Sequence, residues 1–439
     1  MVFQRFFARS FPASVSLRLV YGLFLVAGVA QSAIVPLLPR MSSHFGLSAS
    51  QTALLLALPG LATLAVSVPS GIAADRVGAR SVTLSAGALL CLSCAAQAMP
   101  SLAAVLAGRI VFGIAFGVVW TSGMAWLADL DEARGGSGLG PAVTCSSVGI
   151  MLGPAVGGVL AQHVGLGAPL AVVSLAAALI VVPLALGTNT TGRTAPRPKV
   201  EPADLPIEIA YFQQPVSDSP RAGGTVSLRG LLALVRRPRV AAATGALVVS
   251  GAVSSASQLL VSGGLHRLGL STGRIGLAFS MAAVCYIVVS SVVVRLGARA
   301  QTLKFNALST AALALALVPA LASTGSVALL MALMLSAGPR AVISTIAYTL
   351  ASQRDEDPAH PGDGVVFGML NGAWAASTVL VPLLAGAVEQ AAGIQFAYLA
   401  VIMLSVTVAA WLLAGVAARA SLLRDRGLRV GVRGWRGLS

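Results

Sequence analysis

Arg76-Val-Gly-Ala-Arg80 follows an apolar run from Thr52 to Ala74, and Arg295-Leu-Gly-Ala-Arg299 follows another from Ile275 to Val294. Gly46-Leu-Ser48 and Gly269-Leu-Ser271 stand ahead of the same two runs, so one apolar segment is bracketed twice by the same markers. The second interval is four residues shorter, about one helical turn. Further along, Gly140, Pro154 and Gly158 match Gly368, Pro382 and Gly386 at a constant offset of 228. The chain therefore reads as two related halves.

Ten more apolar runs of spanning length flank these two. The first half holds Leu19 to Pro39, Thr52 to Ala74, Val82 to Met99, Ala103 to Leu127, Pro141 to Ala161 and Ala168 to Leu186. The second holds Val240 to Val261, Ile275 to Val294, Leu303 to Ala322, Val327 to Leu350, Val365 to Val388 and Phe396 to Val416. Each has roughly the 20 residues that cross a hydrocarbon core as a helix. The expected fold is an all-α membrane protein, twelve transmembrane helices in two six-helix halves. Composition agrees: of 439 residues, 56% are hydrophobic and 10% charged, against roughly 25% charged in soluble domains. A water-soluble enzyme is disfavoured, and no ATP-binding motif or catalytic constellation stands in the sequence. Repeated halves are the expected build of an alternating-access carrier with its substrate site near the midplane.

The expected organisation is an N-terminal segment (1–18), a first six-helix half (19–187), a linker (188–239), a second half (240–417) and a basic tail (418–439). The first run resembles a secretory signal, but it is too long for one and ends in two prolines, so it reads as an uncleaved span. The linker is rich in Pro, Arg, Thr and acids and lacks the apolar surface to fold alone. Its end, Val226 to Arg239, has leucines at helical spacing among arginines, which predicts an interfacial helix.

The net charge of +15 reads as topology rather than as a nucleic-acid footprint. The termini, linker and even-numbered loops hold 24 of the 29 Lys and Arg, and the odd-numbered loops only Arg40, Arg267 and Arg274. That bias places both termini and the linker in the cytoplasm. Arg109 and Arg340 remain inside spans. Cys91, Cys94, Cys145 and Cys285 all lie in apolar runs, which supports neither a disulfide framework nor a metal site.

Three motifs carry chemistry. Gly71-Ile-Ala-Ala-Asp75-Arg76-Val-Gly78-Ala-Arg80 joins spans two and three; Gly71 permits close helix approach, Gly78 a tight turn, and Asp75 is available to pair with an arginine when the cytoplasmic face closes. Gly149, Gly153 and Gly157 lie four apart and share one face of span five, where a neighbour's backbone can come close. Pro154 removes a hydrogen bond and bends that span, and Gly158 follows directly. Arg109-x3-Gly113-x3-Gly117-x3-Thr121 sets a cation and small residues on one face of span four.

These stretches resemble the major facilitator superfamily from Leu19 to Val416. The loop resembles its signature between spans two and three, with Ala73 for a usual leucine and Val294 where the second copy would repeat Asp75. The span-five pattern is similar to that of its drug and metabolite antiporters, and span eleven carries Ser377 for the middle glycine. The resemblance implies that Asp75, Arg76, Gly78, Arg80, Gly149, Gly153, Pro154, Gly157 and Gly158 serve gating. It also implies that Arg109 takes part in proton transfer or substrate contact; an arginine satisfied by backbone carbonyls is the competing reading.

Ser336, Arg340, Ser344 and Tyr348 recur every four residues in span ten, a polar stripe expected to face the central cavity because an unpaired cation in a bilayer costs at least about 2.5 kcal/mol. Gln31 and Ser32 in span one, Ser254, Ser255 and Gln258 in span seven, and Asn371 and Trp374 in span eleven are further candidates. The resemblance places spans one, four, seven and ten around the cavity. The substrate-binding set is Gln31, Ser32, Arg109, Thr121, Ser254, Gln258, Arg340, Ser344, Tyr348, Asn371 and Trp374. None of the fourteen acids stands at a midplane position, and Glu389 comes nearest. Two in-span cations without in-span anions favour an anionic or strongly hydrogen-bonding substrate.

The function expected is secondary active export of a small organic molecule across the cytoplasmic membrane in exchange for protons. Uptake or exchange of an organic anion is the alternative, and a ligand sensor with a transporter fold a second one. The expected partners are the small-molecule substrate, the lipid bilayer and protons as coupling ion. No nucleic acid, metal or cofactor is expected, and the chain is expected to act as a monomer.

Overall fold

The computed structural model describes residues 13–132, 139–187, 237–297, 300, 302–322, 325–352 and 363–435, all of them helical or in short turns. Among these, twelve segments are long and apolar enough to cross a membrane. Span one is the helix Ala13–Ala33, continued by a tight 3-10 turn, Val35–Leu37, and a short helix, Leu38–Phe45. Spans two to six are the helices Ala49–Val77, Ala79–Gln97, Leu102–Glu132, Leu139–His163 and Ala168–Leu186. Span seven runs from Pro238 to Ala256, loosens into a π-helical turn at Ser257–Val261 and resumes as Ser262–Arg267. Spans eight to twelve are Thr272–Leu296, Leu303–Ala322, Ser326–Ser352, Asp363–Ala392 and Ile394–Trp435. The interfacial helix expected before span seven lies, up to residue 236, outside the described residues.

Pro36 and Pro39 do not end span one. Each sits in the first turn of a new helical piece, where proline's missing N–H has no partner to lose. The doubled sequence markers turn out to be helix punctuation. Gly46 (φ +65°) and Gly269 (φ +82°) hold left-handed turns that glycine adopts without a Cβ clash. Two residues later, Ser48 accepts from the Gln51 N–H at 3.3 Å while the Gln51 side chain accepts from the Ser48 N–H at 2.9 Å. Ser271 caps span eight by accepting from the Arg274 N–H at 3.4 Å. Such caps satisfy the donors that a helix start leaves free.

Two ends of the bundle are distinct. At the linker end the chain leaves span six at Gly187 and enters span seven at Pro238; the far end carries the turns from span one to two and from seven to eight. Each half has an apolar core, and that of the second half takes in Val35 and Ala53 of the first. In the first, Phe24, Leu23, Leu90, Phe112 and Leu127 are almost fully buried. In the second, Leu260, Leu265, Ile275, Leu313 and Ile343 are. Large apolar side chains such as Leu175, Leu179, Leu315 and Leu384 are instead exposed, as on a surface solvated by lipid rather than water.

Candidate functional site

The span-five glycines serve two interfaces. A Cβ on Gly149 would stand 2.1 Å from the Leu25 carbonyl oxygen, one on Gly153 2.7 Å from that of Val29, and one on Gly157 2.2 Å from that of Ala33. This face packs on the backbone of span one, inside the first half. Gly158 points elsewhere: its Cβ would meet the Thr272 carbonyl at 2.4 Å, in span eight of the other half. Gly276 returns the contact, 2.1 Å from the Pro154 carbonyl. Just past Pro154, the Ala155 N–H donates across the same seam to Ser280 Oγ at 3.0 Å. Nearer the end of the span, the Gly273 N–H donates to Gln162 Oε1 at 3.0 Å. Spans two and eleven make the matching seam, where a Cβ on Gly386 would stand 2.7 Å from Ala53 Cβ.

These seams all lie toward the far end. Toward the linker end the face of span two that carries Ala53 and Gly60 is uncovered, with Leu64 and Ser67 exposed. The halves are closed at the far end and parted at the linker end. In this arrangement Asp75 and Arg76 are exposed, and Asp75 forms no ion pair among the described residues. Arg80 faces inward. It donates to the carbonyl of Leu184 at 3.0 Å and to that of Gly187, closing the C-terminal end of span six, where helical carbonyls lack partners. Arg80→Ala is expected to lower stability by about 1–2 kcal/mol, since charge-assisted bonds of this kind contribute about 1.5–3 kcal/mol and the group is half-buried. Asp75→Asn should leave it unchanged; thermal unfolding of the two purified variants in detergent compares them.

The two in-span arginines part company. Arg109 stands seven residues in from Leu102, about 10 Å from the far end at 1.5 Å per residue. Its side chain is buried, donates from Nε to the Leu55 carbonyl at 2.9 Å and lies over the Phe112 ring with its guanidinium carbon 5.7 Å from the centroid. One terminal nitrogen is buried and has no partner among the described residues. Below it Phe112, Phe116 and Trp120 step along span four, and Trp120 meets Phe24 of span one edge-on at 5.0 Å.

Arg340 stands fourteen residues in from Ser326, about 21 Å from the far end and so near mid-span. Its guanidinium carbon is 5.8 Å from the centroid of the Tyr286 ring. Among the described residues it makes no hydrogen bond or ion pair. One turn on, Ser344 Oγ lies 3.3 Å from Ser250 Oγ of span seven. Tyr286 and Ser250 were not singled out from sequence, because a lone aromatic or serine in an apolar span has no spacing to mark it.

The remaining candidates divide similarly. Gln31 is exposed, and with Arg18 it is one of two exposed positions among the described side chains of the Ala13–Ala33 helix. It stands two turns beyond Phe24 on the face turned to span four. Ser254 and Gln258 are half-buried on span seven, at and just before the π-helical turn. Ser32 is buried, bonded to the Gly28 carbonyl at 3.1 Å and packed against Gly153. Ser255 is bonded to the Gly251 carbonyl at 2.9 Å, and Thr121 to the Gly117 carbonyl at 2.7 Å. Trp374 is partly exposed and packs, with Ser377, on Gly251. In the second half, then, the glycine of the close pair sits on span seven and the serine on span eleven. The side chains of Tyr348 and Asn371 lie outside those described. Glu389, near the far end, is paired with Arg267 at 2.9 Å.

Comparison with known proteins agrees with this architecture. The chain is 30% identical over 185 residues to the MFS-type transporter ppzB of Metarhizium rileyi, covering 40% of this chain and 38% of the relative. It is 28% identical over 188 residues to an uncharacterised MFS-type transporter of Yersinia pestis, covering 42% and 47%. In both cases the chain spans less than half of the relative's length. A bacterial homologue of the human lysosomal transporter Spinster, solved in an inward-facing and unoccupied conformation, superposes with a TM-score of 0.69 at 15% identity, over 91% of this chain and 96% of that one. The family model for the Major Facilitator Superfamily matches residues 20–362, and with twelve spans in two repeated halves this chain belongs to that superfamily of membrane transporters.

Proposed function

We propose that the chain is a secondary transporter of the cytoplasmic membrane that exports a small organic molecule by alternating access, with both termini and the linker in the cytoplasm and protons as the counter-moving ion. The observation that carries this reading is the division of the seams. The halves meet through backbone-close glycines at the far end, while span two is uncovered toward the linker end, Gln31 of the first half is exposed and Arg340 of the second stands near mid-span. Two rigid cores joined by a seam that can part are what a rocking mechanism requires. The basic bias of the linker end supports its cytoplasmic placement, and the span-five glycine pattern supports export.

A second reading, uptake or exchange of an organic anion, is favoured by Arg340 alone, a cation with no carboxylate beside it among the described residues. Everted vesicles distinguish the two. Export predicts accumulation inside everted vesicles that rises with an inside-acid gradient and collapses when a protonophore is added. Accumulation confined to right-side-out vesicles, or indifferent to the gradient, would replace export by the second reading.

A further inference from the structure

We propose that Arg340, Tyr286, Ser344 and Ser250 form a site for a single oxyanion in the second half, so that the molecule carried is an organic monoanion of the carboxylate type. The proposal rests on the transport reading above and gives it a substrate class.

The first argument is position. Val327, Met331 and Leu335 mark the lipid face of span ten. Arg340 lies about 140–180° around the helix from Leu335 and Met331 at 3.6 residues per turn, which turns it inward between spans seven and eight. The second is hydrogen-bond accounting. Arg40 donates to the Ala161 carbonyl, Arg80 to those of Leu184 and Gly187, and Arg109 to that of Leu55, and Arg267 is paired with Glu389. Arg340 has no acceptor among the described residues. Its neighbour is the Tyr286 ring, with the guanidinium carbon 5.8 Å from the centroid, and its N–H groups are of the kind that match a carboxylate.

The third argument comes from the hydroxyls. Ser344 and Ser250 lie 3.3 Å apart and Ser344 also bonds the Tyr286 hydroxyl, so three hydroxyls make two bonds among themselves and one proton is left for an outside acceptor. The other polar candidates on spans one and seven, Gln31, Ser254 and Gln258, are neutral. One cation with neutral surroundings suits one negative charge: a second on the same molecule would be desolvated without a partner. The same reasoning disfavours a cationic substrate, which would be repelled by Arg340 and meet no acid at mid-span.

Thermal unfolding of the purified full chain in detergent, with benzoate, terephthalate, benzamide or benzylammonium at equal millimolar concentration, tests this directly. Benzoate is expected to raise the unfolding temperature, as a ligand of the folded state must. Terephthalate should do so less, and benzamide and benzylammonium not at all. Arg340→Gln should weaken benzoate binding at least about tenfold, and Tyr286→Leu should weaken it more than Tyr286→Phe, which keeps the ring. If Arg340→Gln fails to fold, Arg340→Lys keeps the charge without the planar fork and should bind benzoate more weakly than the wild type. The proposal is overturned if benzoate has no effect, if benzamide or benzylammonium matches it, or if benzoate binds Arg340→Gln, or Arg340→Lys in its place, as tightly as the wild type. Flux in proteoliposomes separates the two levels: a chain that binds benzoate through Arg340 yet moves no solute loses the transport reading and keeps the site. A chain that moves cationic solutes with Arg340→Gln unimpaired keeps transport and loses the site.

Discussion

Leucine in place of Gly276 is expected to abolish transport in a chain that still folds. A Cβ there would stand 2.1 Å from the Pro154 carbonyl oxygen, 2.9 Å from its carbon and 3.2 Å from Gly158 Cα. All three are backbone atoms of the opposite half, so no rotamer change can move them aside. The far ends of spans five and eight must separate. The clash falls on the seam between the halves, where Gly276 meets Pro154 and Gly158 of span five, and not inside either half. Overpacking of this kind costs about 1–3 kcal/mol, enough to shift a two-state ratio by roughly 5- to 150-fold. The chain should collect in the arrangement with the far end open. With the native cysteines removed, Ser280→Cys, placed on the seam, should react several-fold faster with a membrane-impermeant maleimide applied from the far side, and turnover should fall in parallel. Unchanged labelling with full turnover would mean that the closed far end is not a working state.

Valine at Gly149, four residues before Gly153 in the same motif, should act in the opposite way. Here the Cβ would stand 2.1 Å from the Leu25 carbonyl and 2.9 Å from the Val29 nitrogen, both inside the first half. No rocking motion relieves that clash, since spans one and five belong to one core. The expected result is a loss of about 3 kcal/mol or more, read as a collapse in the yield of monodisperse protein and a lowered unfolding temperature. Stable Gly149→Val protein arrested like Gly276→Leu would refute the division between a packing face and a gating face.

That division shows where the sequence is informative. Glycines four residues apart announce a close-packed helix face, because helical geometry is local. They do not say which helix they meet, and so Gly157 and Gly158, adjacent in the chain, could not be told apart before the fold placed one against Ala33 and the other against Thr272. Ser48 and Ser271 were legible as repeat markers; only their hydrogen bonds showed them to be helix caps. Span one was read as ending at its prolines, whereas Pro36 and Pro39 start new helical turns and the chain continues to Phe45.

The sequence by itself determined twelve spans, two repeated halves and a basic end, since hydropathy, capping and charge bias act over one helix or one loop at a time. It also showed that two cations lie in the membrane without midplane acids to match them. Only the tertiary structure decided what each cation meets. Arg109 is tied to Leu55 of span two, 54 residues earlier in the chain, whereas Arg340 reaches a ring and, among the described residues, no acceptor. Whether a carbonyl of another helix comes within hydrogen-bond distance depends on how helices pack, which no spacing along the chain encodes.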